Sequence, residues 1–183
     1  MVGKVPQDCS KSSDNQQNPR KVTPRKASSR VATTPQRIRL VELPTAGGQS
    51  FGPTDWLEIT QGRVDAFADS TGDRQWIHVD PARAANSPYG GTIAHGFLNL
   101  ALCSHFLPQL FVIDGASMAI NYGVDRVRFP APVLVGAKLR GAATIEQVSA
   151  IDDGFQLITT VTLTTEGASK PSCIAAMVTR YLY

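Results

Sequence analysis

Hydrophobic positions recur with helical spacing in two segments of the chain. Val64, Phe67 and Ala68 share one face of a helix predicted over residues 60–70, which Gly72 ends. A second helix is predicted over 93–107, and Pro108 ends it. That helix is apolar almost all round, so we expect it to lie inside the protein.

Strand patterns occupy most of the rest of residues 40–183. Residues 40–53 predict an entry strand and turn. The C-terminal third predicts four strands, with Asp152-Asp153-Gly154 as a hairpin turn, over residues 117–129, 138–150, 155–165 and 172–183. A single buried helix followed by such a run of strands predicts an α+β domain, with one helix lying in a curved antiparallel sheet.

Residues 73–92 fit neither pattern. The segment is interrupted by Pro81, Pro88, Gly90 and Gly91. Connections of this length in compact domains are usually functional or disordered. Because the segment also carries bulky side chains such as Trp76, we expect a packed, functional loop.

Charge divides the chain into two parts. Residues 1–39 hold nine of the 18 lysines and arginines but only Asp8 and Asp14. The segment has almost no large apolar residues, so we predict a disordered basic tail over 1–39 and a folded domain over 40–183. Besides a solvated extension, the tail is compatible with a transit peptide or an arm that binds nucleic acid or an anionic membrane. Against the transit peptide, the segment lacks an apolar helix face. Against the binding arm, it has no aromatic residues between its charges that could stack on bases.

Composition favours a cytoplasmic protein with reduced thiols. Hydrophobic residues make up 42% of the chain, yet no run approaches the roughly 18 apolar residues of a membrane span. Cys9, Cys103 and Cys173 are odd in number and lack C-x-x-C spacing, which argues against disulfides and zinc. We therefore expect no membrane and no nucleic-acid partner.

The stretch STGDRQWIHVD, residues 70–80, carries the candidate chemistry. Asp73 and His78 are five residues apart in a loop that leaves a helix, so both side chains can point at one small volume. A carboxylate and an imidazole that share a water can add that water to a double bond or remove it. The enolate oxygen that develops on a conjugated thioester needs an N–H donor, and Gly96, at the start of the next helix, offers an approachable amide.

Other interpretations of these residues remain open. Asp73 and His78 could form only a structural hydrogen bond. A metal would have to use Asp73, His78 and Asp80, because histidines 95 and 105 lie about 15 Å apart along a helix; we predict no metal site. The remaining helix residues are assigned structural roles, with His95 at the loop–helix junction, His105 at the helix end, and Phe97, Leu98, Leu102 and Cys103 in the core.

Residues 67–102, FADSTGDRQWIHVDPARAANSPYGGTIAHGFLNLAL, resemble the signature segment of the MaoC-like (R)-specific enoyl-CoA hydratase family. The resemblance extends over 41–183, and INYGVDRVRFPAPV points to its nodulation-protein-N-like branch. It implies a hot-dog fold, one long central helix wrapped by a curved antiparallel sheet, and a homodimer. It also implies that Asp73 and His78 are the catalytic residues and that the Gly96 amide donates to the thioester carbonyl. Ser104 and Leu107 would then line the acyl site.

One departure from the family pattern lies between the two dyad residues. Gln75-Trp76 replaces the usual Asn-Pro, which keeps the spacing but changes the packing of the loop; we include Trp76 among the predicted substrate-binding residues. The expected activity is reversible hydration of trans-2-enoyl-CoA to (R)-3-hydroxyacyl-CoA without a cofactor. The alternatives are a hot-dog thioesterase and a non-catalytic acyl-CoA-binding protein. Thioesterases of this fold commonly place an acid on the central helix, and residues 93–110 contain none.

Overall fold

A computed structural model describes residues 34–183. The helices in this part are a 3-10 helix at Leu40–Thr45, followed by α1 (Gln61–Thr71), α2 (Trp76–Val79), α3 (Pro81–Ala84) and α4 (Gly96–Leu110). The strands are β1 (Gln36–Arg39), β2 (Ser50–Phe51), β3 (Leu57–Glu58), β4 (Phe111–Asp114), β5 (Met118–Arg128), β6 (Lys138–Ile151), β7 (Gly154–Thr165) and β8 (Cys173–Leu182).

Six of these strands form one antiparallel sheet. Its order is β2-β6-β7-β8-β5, and the short β3 also pairs with β6. Bulges interrupt the β6–β7 and β5–β8 ladders, and bulges bend a strand and increase its twist. Strands β1 and β4 form a separate parallel pair. The predicted α+β architecture with an antiparallel sheet is confirmed.

Helix α4 packs on this sheet against β6, β7 and β8. Its buried positions recur every three or four residues, and they contact the main hydrophobic core. The fit is close at Gly141 of β6, where an added Cβ would lie 2.8 Å from the Cβ of Phe106. A glycine at this point lets the helix approach the sheet.

Only one side of α4 is covered, which corrects the expectation of a helix buried all round. Ala101, Ser104 and Pro108 lie on the exposed side. Phe97, predicted in the core, also lies there and is 69% exposed. Leu98, Leu102 and Cys103 are buried as predicted, and they share the side of the helix that faces the sheet.

The limits of α4 also differ from the prediction. Residues 93 and 94 are extended, since Ile93 bridges to Leu134 and the Ala94 N–H donates to the Val133 carbonyl, so the helix begins at Gly96. Pro108 does not end the helix, which continues to Leu110. A proline this close to the end removes one backbone hydrogen bond and leaves the later bonds intact.

Two further segments differ from their predictions. Residues 40–45 form a 3-10 helix instead of a strand, so that only Ser50–Phe51 is a strand within 40–53. Residues 73–92 contain the short helices α2 and α3. The predicted helix over 60–70 is present as α1.

The predicted basic tail lies mostly outside the described residues, which begin at 34. Its last four residues, Gln36–Arg39, form β1 and pair with β4, so the folded part begins before residue 40. Within the described part, the structure contains no helix long and apolar enough to cross a membrane.

Candidate active site

Helix α1 ends directly before the candidate site. Thr60 caps its N-terminus by accepting a hydrogen bond from the Arg63 N–H, and Gly72 ends it in the left-handed conformation at φ 75°. The chain reverses there, and Asp73 follows directly. Its side chain is exposed, at the open side of the site.

Asp73 and His78 are brought together by this reversal. A carboxylate oxygen of Asp73 and ring nitrogens of His78 and His95 all lie within 4.8 Å of one another. His78 is only 6% exposed, and its Nδ1 lies 2.7 Å from the Ile93 carbonyl oxygen. Because a carbonyl only accepts, Nδ1 donates, and Nε2 is left as the free acceptor of the neutral ring.

Burial favours this neutral form of His78. Removal from water lowers the pKa of the imidazole, and the neighbouring His95 lowers it further. The hydrogen bond to Ile93 and the Asp73 carboxylate act in the opposite direction. The net shift is downward, so His78 is a neutral acceptor near pH 7.

His95 lies against the same pair from the start of α4. Its ring stacks on that of His78 with centroids 3.8 Å apart and planes 28° apart. Its Nε2 donates to the main-chain carbonyl of Asp73 at 2.9 Å. The position at the loop–helix junction is the one expected from the sequence, but the direct contacts with both Asp73 and His78 were not predicted.

Gln61 is a supporting residue that the sequence analysis missed. Its Nε2 donates to the main-chain carbonyl of His78 at 2.8 Å, and its Oε1 accepts from the Thr92 hydroxyl at 2.6 Å. The side chain thereby links α1, α2 and the segment before α4. These contacts cross 17 and 31 residues, and no local pattern in the sequence marks them.

Gly96 lies beside this cluster as the first residue of α4, and it directly follows His95. Amides in the first turn of a helix have no intrahelical partner, so the Gly96 N–H is a free donor of the kind expected. The absence of a side chain has a further reason. An added Cβ would lie 2.8 Å from Cδ2 of Phe129, whose ring covers Gly96 and makes an edge contact with Phe97.

Ser104 and Leu107 lie elsewhere on α4. They line a groove of about 400 Å³ together with β4, the turn after it and the start of β5. Neither Asp73, His78 nor Gly96 lines this groove. The Ser104 hydroxyl accepts a weak hydrogen bond from Asn121 at 3.4 Å.

Trp76 begins α2 and is half-buried. The Arg83 guanidinium lies 4.3 Å from the centre of its ring, a cation–π contact. Trp76 is therefore held on the outer side of the loop that carries His78, and it does not line the groove.

The donor atoms of Asp73, His78 and His95 are close enough together to consider a metal ion. His78 Nδ1 and His95 Nε2 each donate to a main-chain carbonyl, so each ring has one nitrogen left that could bind an ion. A tetrahedral ion needs converging donors. Asp80 does not join the set, since its carboxylate caps α3 by accepting from the Arg83 N–H. Among the residues described, the cluster therefore offers three candidate ligands, and one of them, Asp73, is exposed.

Comparison with known proteins identifies the family of this chain. The family model for the MaoC like domain matches residues 42–167. The chain is 46% identical to 3-hydroxyacyl-thioester dehydratase Z of Mycobacterium tuberculosis over 144 residues, 78% of this chain and 95% of that protein. It is 40% identical to nodulation protein N of Rhizobium leguminosarum bv. viciae over 149 residues, 78% of this chain and 90% of that protein.

A solved structure gives the same result for the fold. The (R)-hydratase from A. caviae involved in PHA biosynthesis matches with a TM-score of 0.62 and 25% identity, covering 74% of this chain and 96% of that one. With the family model and these relatives in agreement, the chain belongs to the MaoC-like dehydratase family and is a hydro-lyase with the hot-dog fold.

Proposed function

We propose that this protein reversibly adds water to trans-2-enoyl-CoA and forms (R)-3-hydroxyacyl-CoA. The observation that carries the proposal is the convergence of the Asp73 carboxylate and the His78 ring beside the N-terminus of α4. The name of the mycobacterial relative, a 3-hydroxyacyl-thioester dehydratase, and that of the A. caviae (R)-hydratase support the same substrate class.

The two dyad residues accept hydrogen bonds from the two O–H groups of one water. His78 offers Nε2, because its Nδ1–H is committed to the Ile93 carbonyl. Asp73 offers an exposed carboxylate oxygen. The water oxygen forms a bond to C3 of the enoyl group as one of its protons passes to this pair. The same proton then moves to C2 on the same face, which gives syn addition and leaves the dyad unchanged.

The electron pair of the double bond moves to the thioester oxygen during this addition. The Gly96 N–H lies in the first turn of α4, next to His95, and donates to that oxygen. A fixed donor in a site shielded from water stabilises the developing enolate more than water does. When C2 is protonated the electron pair returns and the thioester is restored. The balance requires no cofactor.

The acyl chain is assigned to the groove that Ser104 and Leu107 line. Eight residues separate Gly96 from Ser104, which is about 12 Å along a helix. Trp76 shapes the loop at the outer side of the site through its contact with Arg83. The thioesterase alternative has no support from α4, since none of its residues from Gly96 to Leu110 is acidic.

A homodimer is the proposed assembly. Strand β5 pairs with β8 on one side, and no described strand pairs with its other side. Met118, Ile120 and Tyr122 on this strand are exposed, next to the exposed side of α4. An antiparallel strand can pair with its own copy about a twofold axis, which would cover both surfaces.

The dimer is tested by Ile120→Lys, with Ala150→Lys on the exposed end of β6 as control. Sedimentation velocity is expected to give a dimer for the wild type and the control and a monomer for Ile120→Lys, because a lysine in the interface would lose its hydration. A dimer that survives Ile120→Lys would contradict pairing through β5.

The activity is tested by the loss of conjugated enoyl absorbance when purified protein is mixed with enoyl-CoA substrates of several chain lengths. Asp73→Asn and His78→Gln are each expected to lower kcat on the order of 10²- to 10⁴-fold without unfolding the protein. Asp69→Asn, on α1, and His105→Gln, near the far end of α4, are matched controls expected to keep full activity.

Two outcomes would contradict the proposal. If the wild type is stabilised by acyl-CoA yet turns over no substrate, the protein is a binding module. If both dyad variants keep wild-type turnover, the dyad has no part in the chemistry. Chiral analysis of the product distinguishes the (R) from the (S) alcohol.

A further inference from the structure

We propose that His95 is a positioning residue that holds both Asp73 and His78 in their reactive arrangement. The inference rests on the proposed hydratase function and assigns a role to a residue outside the dyad. His95 contacts each member of the pair in a different way, through a hydrogen bond to one and through its ring to the other.

The placement of His95 breaks a local preference. It is the N-cap residue of α4, a position that favours short side chains such as Ser, Thr, Asp and Asn because they can accept from the helix amides. The His95 side chain makes no such bond and turns toward the dyad instead. It is only 2% exposed. A buried polar residue that does not serve its helix is consistent with a role at the site.

The first contact controls the direction of the Asp73 carboxylate. The His95 Nε2–H donates to the main-chain carbonyl of Asp73 at 2.9 Å. The N–H of Asp73 itself makes a weak contact with the Thr71 hydroxyl at 3.4 Å, and the neighbouring Arg74 N–H donates to the Gly72 carbonyl at 3.0 Å. Since the Asp73 side chain is exposed and free to rotate, a fixed backbone limits the positions that its carboxylate can take.

The second contact controls the ring of His78. One edge is fixed by the Nδ1–H bond to Ile93, and one face lies on His95 at 3.8 Å. The other neighbour of His95 is Phe67, at 5.0 Å, which supports the stack from α1. The His78 ring is therefore held in orientation and in tautomer, and its Nε2 is left as the acceptor for the proposed water.

His95 also changes the electrostatics of His78. Its Nδ1 is buried and has no hydrogen-bond partner among the residues described. The titratable groups that act on His78 are Asp73 and His95, the first of which raises and the second of which lowers its pKa. Replacing His95 by an uncharged residue therefore removes one influence that lowers the pKa of His78.

Two variants separate the contacts. His95→Phe keeps a ring of similar size for the stack and loses the donor to Asp73. His95→Gln keeps an N–H donor and loses both the ring and the titratable group. A displacement of about 1 Å at a reacting group can cost on the order of 100-fold in rate. We expect each variant to lower kcat about 10- to 100-fold, with KM changed less than about 3-fold, because His95 does not touch the thioester.

The acid limb of the pH profile supplies a readout that a purely structural role would not move. In both variants the limb of kcat/KM is expected to shift to higher pH, as is the titration of the His78 ring followed by NMR. The NMR titration does not depend on turnover. His105→Gln serves as control and is expected to change neither profile.

The outcomes discriminate between the two proposals. If the wild type has no hydratase activity, the proposed function is refuted. A shifted His78 titration in the variants would still support the contact with His95. An active wild type with unchanged kcat in both variants would overturn the positioning role. The positioning role would also be overturned if the variants lost activity only in proportion to the fraction of unfolded protein, measured by urea unfolding, and their pH profiles were unchanged.

Discussion

Gly96 offers the sharpest test of how the start of α4 is built. In Gly96→Ala the added Cβ would lie 2.8, 3.0 and 3.1 Å from three carbons of the Phe129 ring. Carbon atoms prefer about 3.5 Å or more, so the ring must retreat by about 0.7 Å. Overpacking costs about 1–3 kcal/mol, and the low end applies here because Phe129 is 39% exposed and can move outward.

An opposing effect comes from the helix itself. Alanine is better than glycine inside a helix by about 1 kcal/mol, and by less at its first residue. We therefore expect Gly96→Ala to lower the free energy of unfolding by about 0.5–1.5 kcal/mol in the wild type. In a Phe129→Ala background the obstacle is gone, and the same change is expected to be neutral or stabilising by up to about 1 kcal/mol.

The assay is a double-mutant cycle measured by urea unfolding, in which the four proteins are compared at equal m-values. Gly62→Ala is the control, since Gly62 also lies in the first turn of a helix and an added Cβ there meets nothing within 4 Å. That control should give the same small gain with or without Phe129. If Gly96→Ala costs the same in both backgrounds, the ring is not the reason for the glycine.

Three other properties follow from packing and burial. Burial lowers the pKa of His78, so kcat/KM should hold below pH 6.5 and fall only as the pH drops through the folded value. The unfolded state binds the extra proton first, so the free energy of unfolding should start to fall at about pH 6.5 and continue to fall down to the folded value; His78→Gln should flatten both curves. Gly141→Ala should lower the free energy of unfolding by about 1–3 kcal/mol in urea, because its Cβ would meet Phe106 at 2.8 Å, whereas Gly123→Ala, with open space around it, should cost less than about 1 kcal/mol. Burial raises the pKa of Tyr181 to about 12, so a pH titration of tyrosinate absorbance should contain a step near pH 12 that Tyr181→Phe removes. The stability that the neutral phenol contributes should be lost as the pH rises from 10 through 12.

The long strands and α1 could be predicted because their signals are local. Alternating Val, Thr, Ile and Leu in residues 155–165 specify a strand without reference to the rest of the chain. The strand predicted for residues 40–45 was wrong because their apolar positions suit a strand and a 3-10 helix equally well. The tertiary contacts that bury Leu40 and Leu43 decide between the two, and the sequence does not show them.

The candidate site divides in the same way. Asp73 and His78 were found because the loop that brings them together is only five residues long. The groups that hold them come from farther away: Gln61 reaches His78 across 17 residues and His95 reaches Asp73 across 22. Phe129, which covers Gly96, lies 33 residues farther along the chain. Spacing identifies the reacting pair, whereas only the fold identifies its supports.

The wrong prediction about α4 has a physical interpretation of its own. Hydrophobic periodicity records which positions are buried in the working protein, including those covered by other chains. Within one chain, the sheet covers only one side of α4, and Phe97 is left 69% exposed. Strand β5 shows the same mismatch, since Met118 and Tyr122 are more than half exposed on a long edge with which no strand among residues 34–183 pairs.

A second copy that pairs along β5 would cover both the exposed side of α4 and the exposed residues of β5. The groove lined by Ser104 and Leu107 lies between the exposed side of α4 and the start of β5, so pairing there would also close the groove. Enclosure would remove apolar side chains from water and give the acyl chain a dry wall. On this argument, assembly and substrate binding depend on one surface, and Ile120→Lys should raise KM for long acyl chains more than for short ones. Equal KM changes at every chain length would separate the two roles.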